Sequence, residues 1–302
     1  MRIGIQTGWM GEQFGIDESF RMIKEAGFES VDFDLDNLIS HEAILTGRWN
    51  ELLDKSEDEY LLAAKPYLDA AKKYGIAVGQ THAAFALHFD GDRFTNEQMV
   101  DHAKKCIMVT AAAGCSHIIV HPAFNGYDRK LDQNEEWKLN IRLYSELIPT
   151  LKKYDVICCL ENMFTGKKNK IYAAICSDAQ EACDYIDELN DIAGEKRFAF
   201  CYDTGHGLLT GHDVYTDISR LGERIEKLHI HDNNGIWDQH IAPYMGILDW
   251  NRFVRALKEI EYRGDLSFET YNAVGQFPSE TAPQLLKLMA AEGRLFAKRI
   301  EE

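Results

Sequence analysis

Short apolar runs rich in β-branched and aromatic residues alternate with longer amphipathic stretches along this 302-residue chain. The apolar runs predict strands at 3–8, 30–35, 76–82, 117–122, 156–162, 198–204, 226–232 and 265–270. Helical periodicity fills the intervals, at 17–26, 59–74, 96–113, 134–153, 177–193, 213–222, 249–260 and 280–299. In ESFRMIKEAGF (18–28), Phe20, Ile23 and Lys24 fall at helical spacing, and Ala26-Gly27 ends the helix before the next strand. Asn96, Ser177, Asp213 and Asp249 are the candidate N-caps of later helices. Regular strand–helix alternation is the pattern of a parallel sheet with crossover helices. Eight such units with little remainder predict an α/β fold, a closed (β/α)8 TIM barrel, as one domain over residues 1–302. An open doubly wound sheet would call for a glycine-rich phosphate turn after the first strand, which Gly8-Trp9-Met10-Gly11 matches poorly. Residues 36–58 exceed the minimal repeat and are either a lid on the strand-end face or a surface helix on the rim.

Four of the apolar runs end on a residue able to hold a divalent metal. VICCLEN (156–162) ends on Glu161, FAFCYDTGH (198–206) carries Asp203, EKLHIHDN (226–233) carries His229 and DLSFETY (265–271) carries Glu269. A barrel of parallel strands builds a metal site in this way, each strand contributing one ligand at its C-terminal end. Carboxylate oxygen and imidazole nitrogen suit a hard or borderline cation, provided they converge from different directions. One such residue often only caps the following helix. Four on four successive predicted strands point instead to a metal centre, with an ion-pair network as the alternative.

The motifs Glu161-Asn162, Asp203-Thr204-Gly205-His206 and His229-Ile230-His231-Asp232-Asn233, with the late Glu269, resemble the sugar phosphate isomerase/epimerase superfamily. This xylose isomerase-like barrel group includes ketose 3-epimerases, inosose dehydratases and endonuclease IV, and the resemblance spans nearly the whole chain. It implies that Glu161, Asp203, His229 and Glu269 hold a divalent metal (Mn, Co, Mg or Zn). It also implies that Glu161 and Glu269 exchange protons with substrate carbon through a metal-stabilised enediolate, and that His206 contacts substrate or a further metal. The superfamily pattern selects His229 over His231, leaving His231 in support. His82 in QTHAAF, His121 in VHPAF, and Asp238 and His240 in DQH match further ligands of endonuclease IV. The expected activity is a metal-dependent isomerase or epimerase of a small sugar, sugar phosphate or cyclitol. The alternatives are a dehydratase of the same superfamily and a multi-zinc phosphodiester hydrolase. In the loop after His240, Met245-Gly246-Ile247 stands where many relatives carry Gly-Glu-Gly, which leaves the substrate contacts of that loop open.

Composition narrows this further. A formal net charge of −16 disfavours nucleic acid as a partner, because phosphates are normally met by a basic face. No apolar run is long enough to span a bilayer, and the chain enters a strand at Ile3, so a cytoplasmic enzyme is expected. Seven cysteines without a CxxC pair are expected to be reduced core residues. Trp9, Phe85, Trp237 and Tyr271 lie at or just beyond strand ends, where each either stacks on a sugar or packs beneath a loop. Lys167, Lys168 and Lys170 either hold an anionic group or form a solvated run. The resemblance admits a homo-oligomer.

Overall fold

Alternation along each strand decides which side chains enter the barrel and which meet the helices. The computed structural model describes residues 1–8, 10–38, 55–84, 96–123, 132–167 and 170–302. Its strands are β1 (Ile3–Gln6), β2 (Ser30–Asp34), β3 (Ala77–His82), β4 (His117–Ile119), β5 (Ile157–Glu161), β6 (Phe164–Lys167), β7 (Lys170–Ala173), β8 (Phe198–Asp203), β9 (Ile225–His229) and β10 (Leu266–Phe268). Eight of them form one sheet in the order β10-β1-β2-β3-β4-β5-β8-β9, with every neighbouring pair parallel. The ends of this sheet meet just past β9. There the Ile230 N–H donates to the Ser267 carbonyl at 2.8 Å, and the Glu269 N–H donates to the Ile230 carbonyl at 3.1 Å. The fold is the (β/α)8 barrel expected from the alternation, with all eight predicted strands present.

In β8, Phe198, Phe200 and Tyr202 join the large core between sheet and helices. The intervening Ala199 and Cys201 face inward, where they pack with Ile119 and Cys159 in a small cluster inside the barrel. Period-two geometry then places Asp203 on the inward set at the strand's end. β5 follows the same rule. Cys158 and Leu160 lie in the outer core and Cys159 in the inner cluster, so Glu161 points inward. All seven cysteines are free and buried. Phe200 is fully buried, so Phe200→Ala is expected to cost about 3–5 kcal/mol, measurable by urea denaturation.

The helices follow their predicted signals with two corrections. Gly27 adopts φ 95° and closes helix 16–26. Asp213 and Asp249 accept hydrogen bonds from first-turn N–H groups, as expected of N-caps. Ser177 does not cap its helix: Asp178, one residue later, accepts from the Gln180 and Glu181 N–H groups, and the helix starts at Ala179. The stretch before Asn96, where its helix would be capped, lies outside the described residues. The predicted helix at 134–153 is two, 133–145 and 148–154. Pro149 cannot donate to the preceding turn and opens the second of these. Lys167 and Lys170, candidates for an anion contact or a solvated run, belong to an antiparallel hairpin, β6–β7. Most of the candidate lid at 36–58, and also Trp9, Phe85 and Lys168, lie outside the described residues. Among the described residues no helix is long and apolar enough to cross a membrane.

Candidate metal centre and active site

Four strand ends bring Glu161, Asp203, His229 and Glu269 together. One ligand atom from each lies within 4.8 Å of the others, and all four residues are buried. The His229 Nδ1 faces Glu161 Oε1 at 3.2 Å, Glu269 Oε2 at 3.5 Å and Asp203 Oδ2 at 4.0 Å. Three carboxylates this close, removed from water, repel one another and favour positive charge among them, which the surrounding imidazoles supply only in part at Glu269. The donor set therefore fits a divalent cation.

Neighbouring strands fix the orientation of these side chains. His229 Nε2 bonds Asp32 Oδ2 on β2 at 3.0 Å, and Gln80 Nε2 donates to the same oxygen at 2.9 Å. With one ring nitrogen so engaged, the other is turned toward the carboxylates, as in the carboxylate–histidine pairs that orient metal ligands. Gln6 Nε2 donates to Glu269 Oε1 at 2.8 Å. Asn162 ties two strand ends together, accepting from the Asp203 N–H and donating to the Asp203 carbonyl, both at 2.8 Å. His231 Nε2 lies 2.9 Å from Asp203 Oδ1, which gives it a supporting position beside that ligand. Asp32, Gln6 and Gln80 were not singled out from the sequence; their only signal is a polar residue at an inward position of an apolar strand. Asp32→Ala is expected to weaken metal affinity about 10–100-fold, read by competition with a chromogenic chelator.

Two further groups adjoin the first. His82 and His121 place their Nε2 atoms 3.1 Å apart, at 3.6 and 3.0 Å from Glu161 Oε2. Glu161 Oε2 accepts no hydrogen bond of ordinary geometry, although it is buried between these two imidazoles. On the other side, His206 Nδ1 bonds the Asn162 carbonyl at 2.9 Å and His240 Nδ1 bonds the Glu269 carbonyl at 3.0 Å. Both rings thereby turn Nε2 toward Asp238 Oδ2, at 3.7 and 2.8 Å. His206, His231, Asp238 and His240 can together present four ligand atoms within 4.8 Å, as can His82, His121 and Glu161 with three. The structure thus brings together every histidine and carboxylate named from the sequence as a candidate ligand.

Aromatic residues line this region unevenly. The Phe164 ring of the hairpin lies 4.9 Å from His206, and Tyr271 lies 4.7 Å from His240. Trp237 is 54% exposed on the loop that carries Asp238, so it does not pack beneath that loop.

The two glutamates experience different environments. Burial pushes the Glu269 carboxyl up, and the His229 and His240 charges offset this only in part. At Glu161 burial also acts upward, but His229 and His121 overcome it and hold the carboxyl well below the usual range. Burial likewise raises Asp203, yet His206 and His231 bring it down to about 2.

A family described as the xylose isomerase-like TIM barrel matches residues 20–292. An uncharacterised protein of Sinorhizobium fredii is 24% identical over 270 residues, covering 87% of this chain and 82% of its own length. The D-psicose 3-epimerase of Enterocloster bolteae is 26% identical over 131 residues, which is 43% of this chain and 39% of the epimerase. Among solved structures, the 3-keto-D-glucoside 4-epimerase of E. coli matches with a TM-score of 0.71 at 18% identity, covering 98% of this chain and 99% of its own. The IolI protein with a bound zinc atom matches with a TM-score of 0.63 at 18% identity, covering 100% and 96%.

Proposed function

Because this chain belongs to the xylose isomerase-like TIM-barrel family, we propose that it is a metal-dependent isomerase or epimerase of a small sugar, sugar phosphate or cyclitol. The observation that carries this is the convergence of Glu161, Asp203, His229 and Glu269 at four strand ends. The epimerase relatives and the zinc-bearing IolI fold support it. A divalent ion held by these four residues would supply a Lewis acid for a carbonyl and its neighbouring hydroxyl.

The protein's own groups account for the proton movements. Glu161, held ionised by His229 and His121, takes the proton α to the carbonyl. Glu269, pushed up by burial, is the readier proton donor and returns one to carbon. Gln6 binds Glu269 Oε1 and so leaves Oε2 as the working oxygen, facing His229 and His240 at 3.5 Å each. Return of the proton to the opposite face of the same carbon inverts the centre. Return to the adjacent carbon interconverts aldose and ketose, and loss of a β-hydroxyl gives dehydration. Incubating the Mn- or Zn-loaded protein with a panel of ketoses, polyols and their phosphates tests this by NMR. New epimer or isomer peaks that vanish with chelator are expected; no conversion of any member would contradict the proposal.

A second function is favoured by one specific observation, the two extra ligand groups around Glu161 and Asp238. Three metals would suit a phosphodiester hydrolase. Elemental analysis separates the two, with about one divalent ion per chain expected for the isomerase type and about three zinc ions for the hydrolase. The charge of −16 weighs against a DNA substrate.

A further inference from the structure

We propose that the opposite end of the barrel, at the strand starts, holds a second site that binds a small phosphate-bearing anion. A cavity of about 630 Å³ opens there, and Arg2, Lys72, Lys227 and Arg263 line it. Lys227 precedes His229 by two residues on β9, so its side chain enters the barrel one layer below the carboxylate centre. It is only 6% exposed, and its Nζ donates to the Gly79 carbonyl at 2.8 Å. No carboxylate lies within 4.0 Å of that ammonium among the described residues. An ammonium has three donors, so two are left to point at the cavity.

The balance of charge around the cavity is uneven. Its two acids are already committed. Asp265 accepts from Arg2 Nε at 2.9 Å and from Ser30 Oγ at 2.8 Å, and Asp69 pairs with Lys65 at 2.5 Å. Lys72 and Arg263, like Lys227, have no carboxylate partner within 4.0 Å among the described residues. Three cations without a carboxylate partner, two of which donate only to backbone carbonyls, therefore line one cavity of a chain whose net charge is −16. A buried cation with a single carbonyl partner is costly, and a multivalent anion offering several acceptor oxygens relieves that cost. Gly79 lets the Asp265 carboxylate pack close against β3 at the cavity wall, because a Cβ there would come within 2.2 Å of Asp265 Oδ2. The cavity is larger than a phosphate group, so the chemistry favoured is a phosphate monoester of a small metabolite, with inorganic phosphate as its minimal probe.

The test is thermal melting of the metal-loaded full chain, with sodium phosphate titrated against sodium chloride at matched ionic strength. A saturable rise of about 2–4 °C at roughly ten times the dissociation constant is expected. Lys72→Ala combined with Arg263→Ala alters two surface residues, and should weaken the apparent affinity about tenfold or more. Lys227→Met should remove the response. Phosphate bound at the metal centre would be indifferent to the Lys72/Arg263 pair. A wild-type rise no greater than that in chloride, or an unchanged affinity in the double variant, overturns the proposal.

Discussion

Glu269→Gln is expected to lower kcat by about 10²–10⁴-fold on the identified substrate, and Glu161→Gln by a similar factor. Glutamine keeps the volume and one carbonyl oxygen, so the fold and much of the metal site persist while the proton-transfer role is lost. The two changes should not multiply, because the glutamates act as one unit on a single proton path. Gln6 already donates to Glu269 Oε1, so the new amide has one favourable oxygen position and turns its NH₂ toward His229 and His240. Near wild-type turnover by either variant would remove that residue from the chemistry and overturn the assignment of the pair. Loss of activity with unchanged metal content separates a proton-transfer role from a purely ligating one.

Removing the metal should have the second large effect. Glu161, Asp203 and Glu269 are all buried within one group of ligand atoms, and a bound divalent ion would compensate their mutual repulsion. At a free metal concentration about a thousandfold above Kd, bound metal stabilises the native state by about 4 kcal/mol. For a chain of this size that is on the order of 10 °C in melting temperature. Chelator should abolish turnover and lower Tm together, and added Mn or Zn should restore both. Asp203→Ala should show the low Tm without chelator, and added metal should restore little of it. A Tm unmoved by chelator would show that the carboxylates are balanced by the imidazoles alone.

The barrel strands are legible in the sequence because each is an apolar run long enough to be buried and is bounded by polar residues. Glu161 and Asp203 could be placed on the inward face by alternation alone, since Leu160 and Tyr202 belong to the outer core. The hairpin β6–β7 has no such signature. Its two strands pair only with each other, and Lys170, Tyr172 and Ala173 are exposed, so no buried face marks them. Asp32 escapes notice for a different reason. Its partner His229 lies 197 residues away, and nothing local links the two positions. The split of helix 134–153 was available from Pro149, whose missing N–H suits a first turn better than a helix interior. The histidines at 82, 121, 206 and 240 were visible as motifs, but only the folded chain shows His82 and His121 sharing Glu161, while His206 and His240 share Asp238.

Solvent deuterium exchange tests the central claim most directly. The metal-loaded protein is incubated in D₂O with the ketose and polyol panel, and mass spectrometry with NMR locates any label. Deuterium should enter at the carbon next to the carbonyl, in step with or faster than product formation. The label should be lost in both Glu161→Gln and Glu269→Gln. Product formed with no deuterium at that carbon would contradict proton abstraction by the glutamate pair. So would cleavage of abasic duplex DNA by a three-zinc protein that labels no sugar.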